Sequence, residues 1–417
     1  MDELKNGPLD GVRVLDLSRV LAGPMCAQLL GDLGADVIKV ERPGGGDDTR
    51  QWGPPFLKDA AGNETRESAY YLCANRNKRS VAVDMSRPEG QKLIRELAAR
   101  SDVVIENFKT GGLKKYGLDH ESLRAEYPRL VYCSITGFGQ TGPYAERPGY
   151  DLLIQAMGGV MSITGPADRE PTKVGVAISD IMAGMYAGLA ILAALRARNA
   201  TGIGQHLDLA LLDCQVAWLA NQGQRYLLSG EVAQRRGNAH PDVVPYQVFA
   251  TADGHVIIGV GNDQQFLRLC EFAGREDLGR DPRFATNDAR VRNRDALIPV
   301  IEELVAARPT AEWLDGLAAR KVPCGPVNTI DQVFADPQVR SRQMTADLPH
   351  PLAGEGLVRL IANPMRFSAT PVTYRRAPPV QGQHTAEVLA ELLGMSEEEV
   401  DRLAADGVVA RREDHRA

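Results

Sequence analysis

Short apolar runs alternate with amphipathic stretches through the first third of the chain. Residues 12–17 read as a buried strand, with only Arg13 and Asp16 polar. Pro24 opens a helix that runs to Leu33, and Gly34 closes it. Residues 36–41 are the next strand, so the chain starts with the strand–helix–strand unit of a parallel, doubly wound sheet. The pattern repeats. Residues 80–84 are a strand. Ser86 caps a helix with Pro88 in its first turn, which runs to about Arg100 with Leu93, Ile94 and Leu97 on one face. Residues 102–106 and 130–135 are further strands.

After Asp151 the texture changes. Gly158 and Gly159 interrupt an apolar segment, and residues 181–195 then carry no charge, with Asp180 at their head. A membrane span needs ~20 such residues, so this run reads as a buried core helix. Asp180 then has two readings. As a helix cap, its oxygen accepts a first-turn N–H and suits the positive end of the dipole. As a carboxylate stripped of water at a buried helix end, it is a nucleophile. Gly184 and Gly188 follow one and two turns later and leave one face open to close approach. A strand at 206–210 and a helix toward Leu228 come next. From about Gly237 an Asp253-Gly254 turn joins strands at 246–251 and 255–260, and helical segments continue through Ala319. The resulting division is a large domain in two parts, 1–237 and 329–417, around a small α/β domain at 238–328. A helical tail starts at His384.

A chain of 417 residues is long enough for two domains. An apolar share of 44% and a charged share of 24% are those of an ordinary globular protein. A net charge of -6 argues against a nucleic-acid binder, so an anionic ligand needs local cations. None of the six cysteines forms a CxxC pair or a metal-ligand spacing with His. Reduced cytoplasmic thiols, no metal and no membrane partner are the expectation. The polar, acidic first residues predict no secretory leader.

Ordered motifs then carry a resemblance over nearly the whole chain. They are Ala22-Gly-Pro24, Gly34 to Pro43, Asn75-Arg-Asn-Lys-Arg-Ser80, Asp102 to Phe108, Thr136-Gly-Phe-Gly139 and Arg147-Pro-Gly-Tyr-Asp151, followed by Thr201 to Gln205, Pro323 to Asn328 and Gly382 to Thr385. The chain resembles the family III CoA-transferases, the CaiB/BaiF group. That resemblance implies a Rossmann-like large domain, a small middle domain and an interlocked homodimer. It also implies coenzyme A and acyl-CoA as substrates, with no permanently bound cofactor.

The resemblance makes Asp180 the nucleophile that attacks the donor thioester. It places Leu21 and Ala22 at the thioester end, and Arg42 and Lys115 on the phosphates. Val83, Asp84, Met85, Ser86, Asn107, Phe108, Lys109, Arg147 and Tyr150 then line the nucleotide. Formyl-CoA-type members carry Gln where Leu21 stands and a glycine-rich loop absent near Gly259 and Gly261. The chain is therefore closer to members that move CoA from succinyl-CoA to dicarboxylates such as glutarate or itaconate. A second carboxylate requires a second cation; Arg19, Arg76, Lys173, Arg235 and Arg236 are candidates. Two rivals remain. A 2-methylacyl-CoA racemase would need His where Tyr150 stands, and tyrosine, with pKa ~10, is a poor base at neutral pH. A non-catalytic nucleotide-binding protein would use Asp180 as a cap only, although the first strand–helix turn lacks GxGxxG.

Overall fold

The computed structural model describes residues 7–412 and divides into two compact units. The larger takes the described residues up to 159, residues 174–224 and those from 342 onward; the smaller takes 160–173 and 225–341. The smaller unit is therefore wider than 238–328. Backbone groups bind its extra piece: Gly237 N–H donates to Gly165 O at 3.0 Å, and the Arg235 guanidinium donates to the carbonyls of Pro166 and Arg169.

The strands of the larger unit are β1 (Arg13–Asp16), β2 (Asp36–Glu41), β3 (Phe56–Lys58), β4 (Glu64–Ser68), β5 (Lys78–Val83), β6 (Val103–Glu106), β7 (Val131–Thr136) and β8 (His206–Ala210). The smaller unit has β9 (Tyr246–Ala250), β10 (His255–Gly259) and β11 (Cys324–Pro326). Back in the larger unit come β12 (Thr345–Pro349), β13 (Leu357–Ile361) and β14 (Val409–Ala410). One sheet has the order β14-β5-β2-β1-β6-β7-β8, parallel throughout except for β14, which pairs antiparallel with β5. The chain builds outward from β1 in one direction and then returns to start at β6 on its other side. The switch point of the doubly wound sheet lies between β1 and β6, where ligands of such folds bind.

Apolar clusters cover both faces of this sheet. On one face lie the first helix, Ala22–Asp32, and the long helix, Ile178–Thr201, which buries Ala183, Ala187, Ile191 and Ala194. That long helix would suffice to cross a membrane by length and composition alone; its buried stripe belongs to the core. On the other face lie Pro88–Ala99 and Thr385–Leu393. In the smaller unit, β9 to β11 carry a separate core around Phe249, Phe266 and Trp313.

Several boundaries differ from the sequence reading for local reasons. Ser86 is not a helix cap: its hydroxyl donates to Asp84 at 2.6 Å, and the helix starts at Pro88 behind Arg87. β5 begins before Ser80, because Lys78 is neutralised by Asp16 at the end of β1 and Arg79 by Asp36 on the adjacent β2, so both enter the sheet. The long helix begins at Ile178, so Asp180 is its third residue rather than its cap.

Candidate active site

Two cavities of about 660 and 640 Å³ open at the carboxyl ends of the parallel strands. Arg19, Phe108, Lys109 and Thr110 line both and form the wall between them. Arg42, Val83, Asp84, Met85, Ser86 and Lys115 line the first. Leu21, Ala22, Asn107, Arg147, Tyr150 and Asp180 line the second. Every residue that the resemblance placed on CoA or at the reacting carbonyl thus lines one of two adjoining cavities. Thr136, Gly137, Trp52, Asp48 and Leu211 also line the second cavity and were not anticipated. The motif Thr136-Gly-Phe-Gly139 signalled two of them; Trp52 had no signal.

Two close backbone contacts shape the second cavity. A Cβ on Gly137 would lie 2.5 Å from the Gly149 Cα, so only glycines let the loops after β7 and before Tyr150 cross there. A Cβ on Gly184 would lie 2.6 Å from the Ala22 carbonyl oxygen. The long helix therefore abuts the start of the first helix one turn beyond Asp180. Gly188 differs: a Cβ there would meet no atom within 4 Å.

Asp180 is half-buried on the wall of this cavity. Burial, and then the negative charge of Asp151, push its carboxyl up to about 7. Asp151 Oδ1 accepts the N–H of Ser179 at 2.8 Å and that of Asp180 at 3.4 Å. The capping expected of Asp180 is thus supplied by Asp151. Asp180 is left as a poorly solvated carboxylate facing open space, the setting of a nucleophile. Among the described residues no cluster of three or more His, Cys, Asp or Glu could hold a metal ion.

The cations are unevenly distributed. Arg42 and Lys115 are exposed in the first cavity. Asp48 bridges the cavities: it binds Arg19 at 2.7 Å and Arg42 at 3.3 Å. Arg147 lies over the Tyr144 ring at 4.0 Å. Arg76 is excluded from the candidates for a second carboxylate, because it is buried and held at 2.6 Å by Asp32. Its motif, residues 75–80, is structural: Lys78 donates to Asp16, to the Pro24 carbonyl and to Asn75, tying β5 to β1 and the first helix. Lys173, Arg235 and Arg236 belong to the smaller unit.

The ends of the parallel strands thus carry two adjoining cavities, one with exposed Arg42 and Lys115 and the other with the half-buried Asp180. The chain belongs to CoA-transferase family III, whose family model matches residues 9–385. It is 52% identical over 386 residues to a succinate–glutarate CoA-transferase of Agrobacterium fabrum, covering 92% of this chain and 96% of that one. It is 44% identical to the human succinyl-CoA:glutarate CoA-transferase, covering 98% and 91%. A solved CaiB/BaiF family protein from Brucella suis superimposes with a TM-score of 0.83 at 51% identity, covering 93% of this chain and 100% of that one. The chain is therefore a CoA-transferase, with CoA thioesters and carboxylic acids as its substrates.

Proposed function

We propose that this enzyme moves CoA from succinyl-CoA to a dicarboxylate such as glutarate or itaconate, with Asp180 as the nucleophile. The observation that carries this reading is the Asp180 carboxylate, poorly solvated and facing a cavity that adjoins a basic cleft. The names of the relatives supply the donor and the first acceptor to try. Asp180 attacks the thioester carbonyl and forms a mixed anhydride, and the CoA thiolate leaves. The thiolate attacks the aspartyl carbonyl, releasing succinate and leaving an aspartyl-CoA thioester. The acceptor carboxylate then displaces CoA from Asp180. In the last step the returning thiolate takes the acceptor's acyl group and frees Asp180. No bond to sulfur is lost overall, so the exchange is nearly isoenergetic.

In this reading Arg42 and Lys115 bind the CoA phosphates. Met85, Ser86, Phe108 and Lys109 border the nucleotide, and Leu21 and Ala22 the thioester. Arg19, in the same cavity as Asp180, holds the free carboxylate of the acceptor. Large exposed apolar side chains such as Leu189, Trp218, Leu227 and Leu228 favour a homodimer, which the family resemblance makes interlocked, and a cytoplasmic enzyme is the expectation. Light scattering on the purified protein reads the dimer. The function is tested by mass spectrometry of succinyl-CoA incubated with a panel of carboxylic acids. New acyl-CoA species are expected for dicarboxylates with the native protein and none with Asp180→Ala. Equal transfer by both proteins would refute the role of Asp180.

A further inference from the structure

The turn between β1 and the first helix, residues 18–21, is left-handed at Val20, with φ +72°. A β-branched residue resists that conformation, because its Cβ crowds the backbone, and it persists only where its surroundings over-determine it. Here they do. Asp47 accepts the Val20 N–H at 3.2 Å. Lys39, fully buried, donates to the Ser18 carbonyl at 2.9 Å and to Asp47 at 2.8 Å.

The remaining tie crosses the switch point of the sheet. Asn107, just after β6, accepts the Arg19 N–H through Oδ1 at 3.0 Å and donates from Nδ2 to the Arg19 carbonyl at 2.6 Å. The next residue is pinned as well, since Glu106 accepts the Phe108 N–H at 2.7 Å. Both functions of the Asn107 amide are occupied by the backbone of one residue. Leu21 and Ala22, which follow the strained turn, line the cavity of Asp180.

We propose that Asn107 is a positioning residue for CoA transfer: it clamps the Arg19 backbone so that the left-handed Val20 turn presents Leu21 and Ala22 to the reacting thioester. Its side chain acts through the turn rather than on CoA. The inference rests on this cavity being the transfer site and adds to that reading the residue that holds its wall in shape.

The test is a cycle of Asn107→Ala in the native and Val20→Gly backgrounds, assayed with succinyl-CoA and glutarate. Glycine adopts the left-handed turn without crowding, so the clamp matters less in that background. Asn107→Ala is expected to lower kcat at least about tenfold with Val20 present, and no more than about threefold in the Val20→Gly background, as relief of strain at such a position implies. KM for succinyl-CoA should change little in either. Hydrogen exchange of the peptide spanning residues 18–22 should quicken in Asn107→Ala, a readout that needs no turnover. A raised KM for succinyl-CoA with kcat unchanged, equal in both backgrounds, would instead make Asn107 a CoA contact and overturn the clamp. If Asn107→Ala alone does not fold, the double variant must fold and turn over; failure of both also overturns it. Native protein that moves no CoA would count against the transfer reading, while the exchange result would still report on the clamp.

Discussion

The Asp151 carboxylate caps the helix that carries Asp180, accepting the N–H of Ser179 at 2.8 Å and of Asp180 at 3.4 Å. It acts on Asp180 in two ways. It frees the Asp180 side chain from capping its own helix, and its charge adds to burial in pushing that carboxyl up to about 7.

A pH dependence follows. Asp180 attacks only when ionised, and its protonated share grows as pH falls through about 7. On the acid side kcat/KM for the CoA thioester is expected to fall about tenfold per pH unit. Asp151→Asn keeps an acceptor for the two N–H groups and removes the charge. Its acid limb should move to lower pH while staying above the ordinary carboxylate range, because burial is the larger cause. A pH–rate profile of both proteins checks this, and coincident limbs would count against the coupling.

Removing the nucleophile should stabilise the protein. The Asp180 carboxyl titrates higher in the folded chain than in the unfolded one, so its ionisation disfavours folding. That penalty is absent below about pH 4, grows toward pH 7 and then levels off. Asp180→Asn is therefore expected to abolish transfer and to gain about 1–3 kcal/mol near pH 8, discounted for its half-exposed setting. Denaturant melts at pH 5 and pH 8 read the difference. A gain that is the same at both would point to packing instead.

Gly184→Ala should be damaging and Gly188→Ala benign. The new methyl at 184 would meet the Ala22 carbonyl, which cannot yield without moving the first helix, whereas at 188 it meets open space. The expected cost at 184 is about 1–3 kcal/mol, with kcat reduced because Asp180 and Ala22 share a cavity wall. At 188, a gain of up to about 1 kcal/mol from helix propensity is expected. Thermal melts and steady-state rates of the pair decide it.

Arg19→Gln tests acceptor recognition. Arg19 lines the Asp180 cavity and, among the described carboxylates, is tethered by Asp48 alone. KM for glutarate should rise at least about tenfold, the effect of losing one charge-assisted hydrogen bond, while a monocarboxylate acceptor of similar length is little affected. An equal loss for both acids would assign Arg19 to CoA instead.

Much of this was legible in the sequence, and the misses share a cause. β2 and β8 fall on the predicted residues, since each carries Val, Ile or Leu at alternate or adjacent positions over its whole length. β5 was read short because Lys78 and Arg79 look like surface residues until Asp16 and Asp36 are placed beside them. The sequence offers Asp180 as the cap of its helix, because the carboxylate that caps it, Asp151, is remote in sequence. Motifs gathered Arg42 and Tyr150, and the resemblance added Lys115, but neither pointed to Trp52, whose ring packs edge-on against Tyr70. The side chain of Asn107 was expected on the nucleotide; its partner, the backbone of Arg19, lies across the sheet switch point, and local pattern does not encode such a contact.

Oxygen tracing tests the central claim most directly. If Asp180 is the nucleophile, one carboxylate oxygen of the acceptor stays on Asp180 when the new thioester leaves, and the next turnover passes it to succinate. With glutarate labelled in its carboxylates with heavy oxygen, mass spectrometry of the succinate released over many turnovers should find one labelled atom per molecule. Unlabelled succinate alongside abundant glutaryl-CoA would contradict the account, because CoA would then have moved without passing through an aspartyl anhydride.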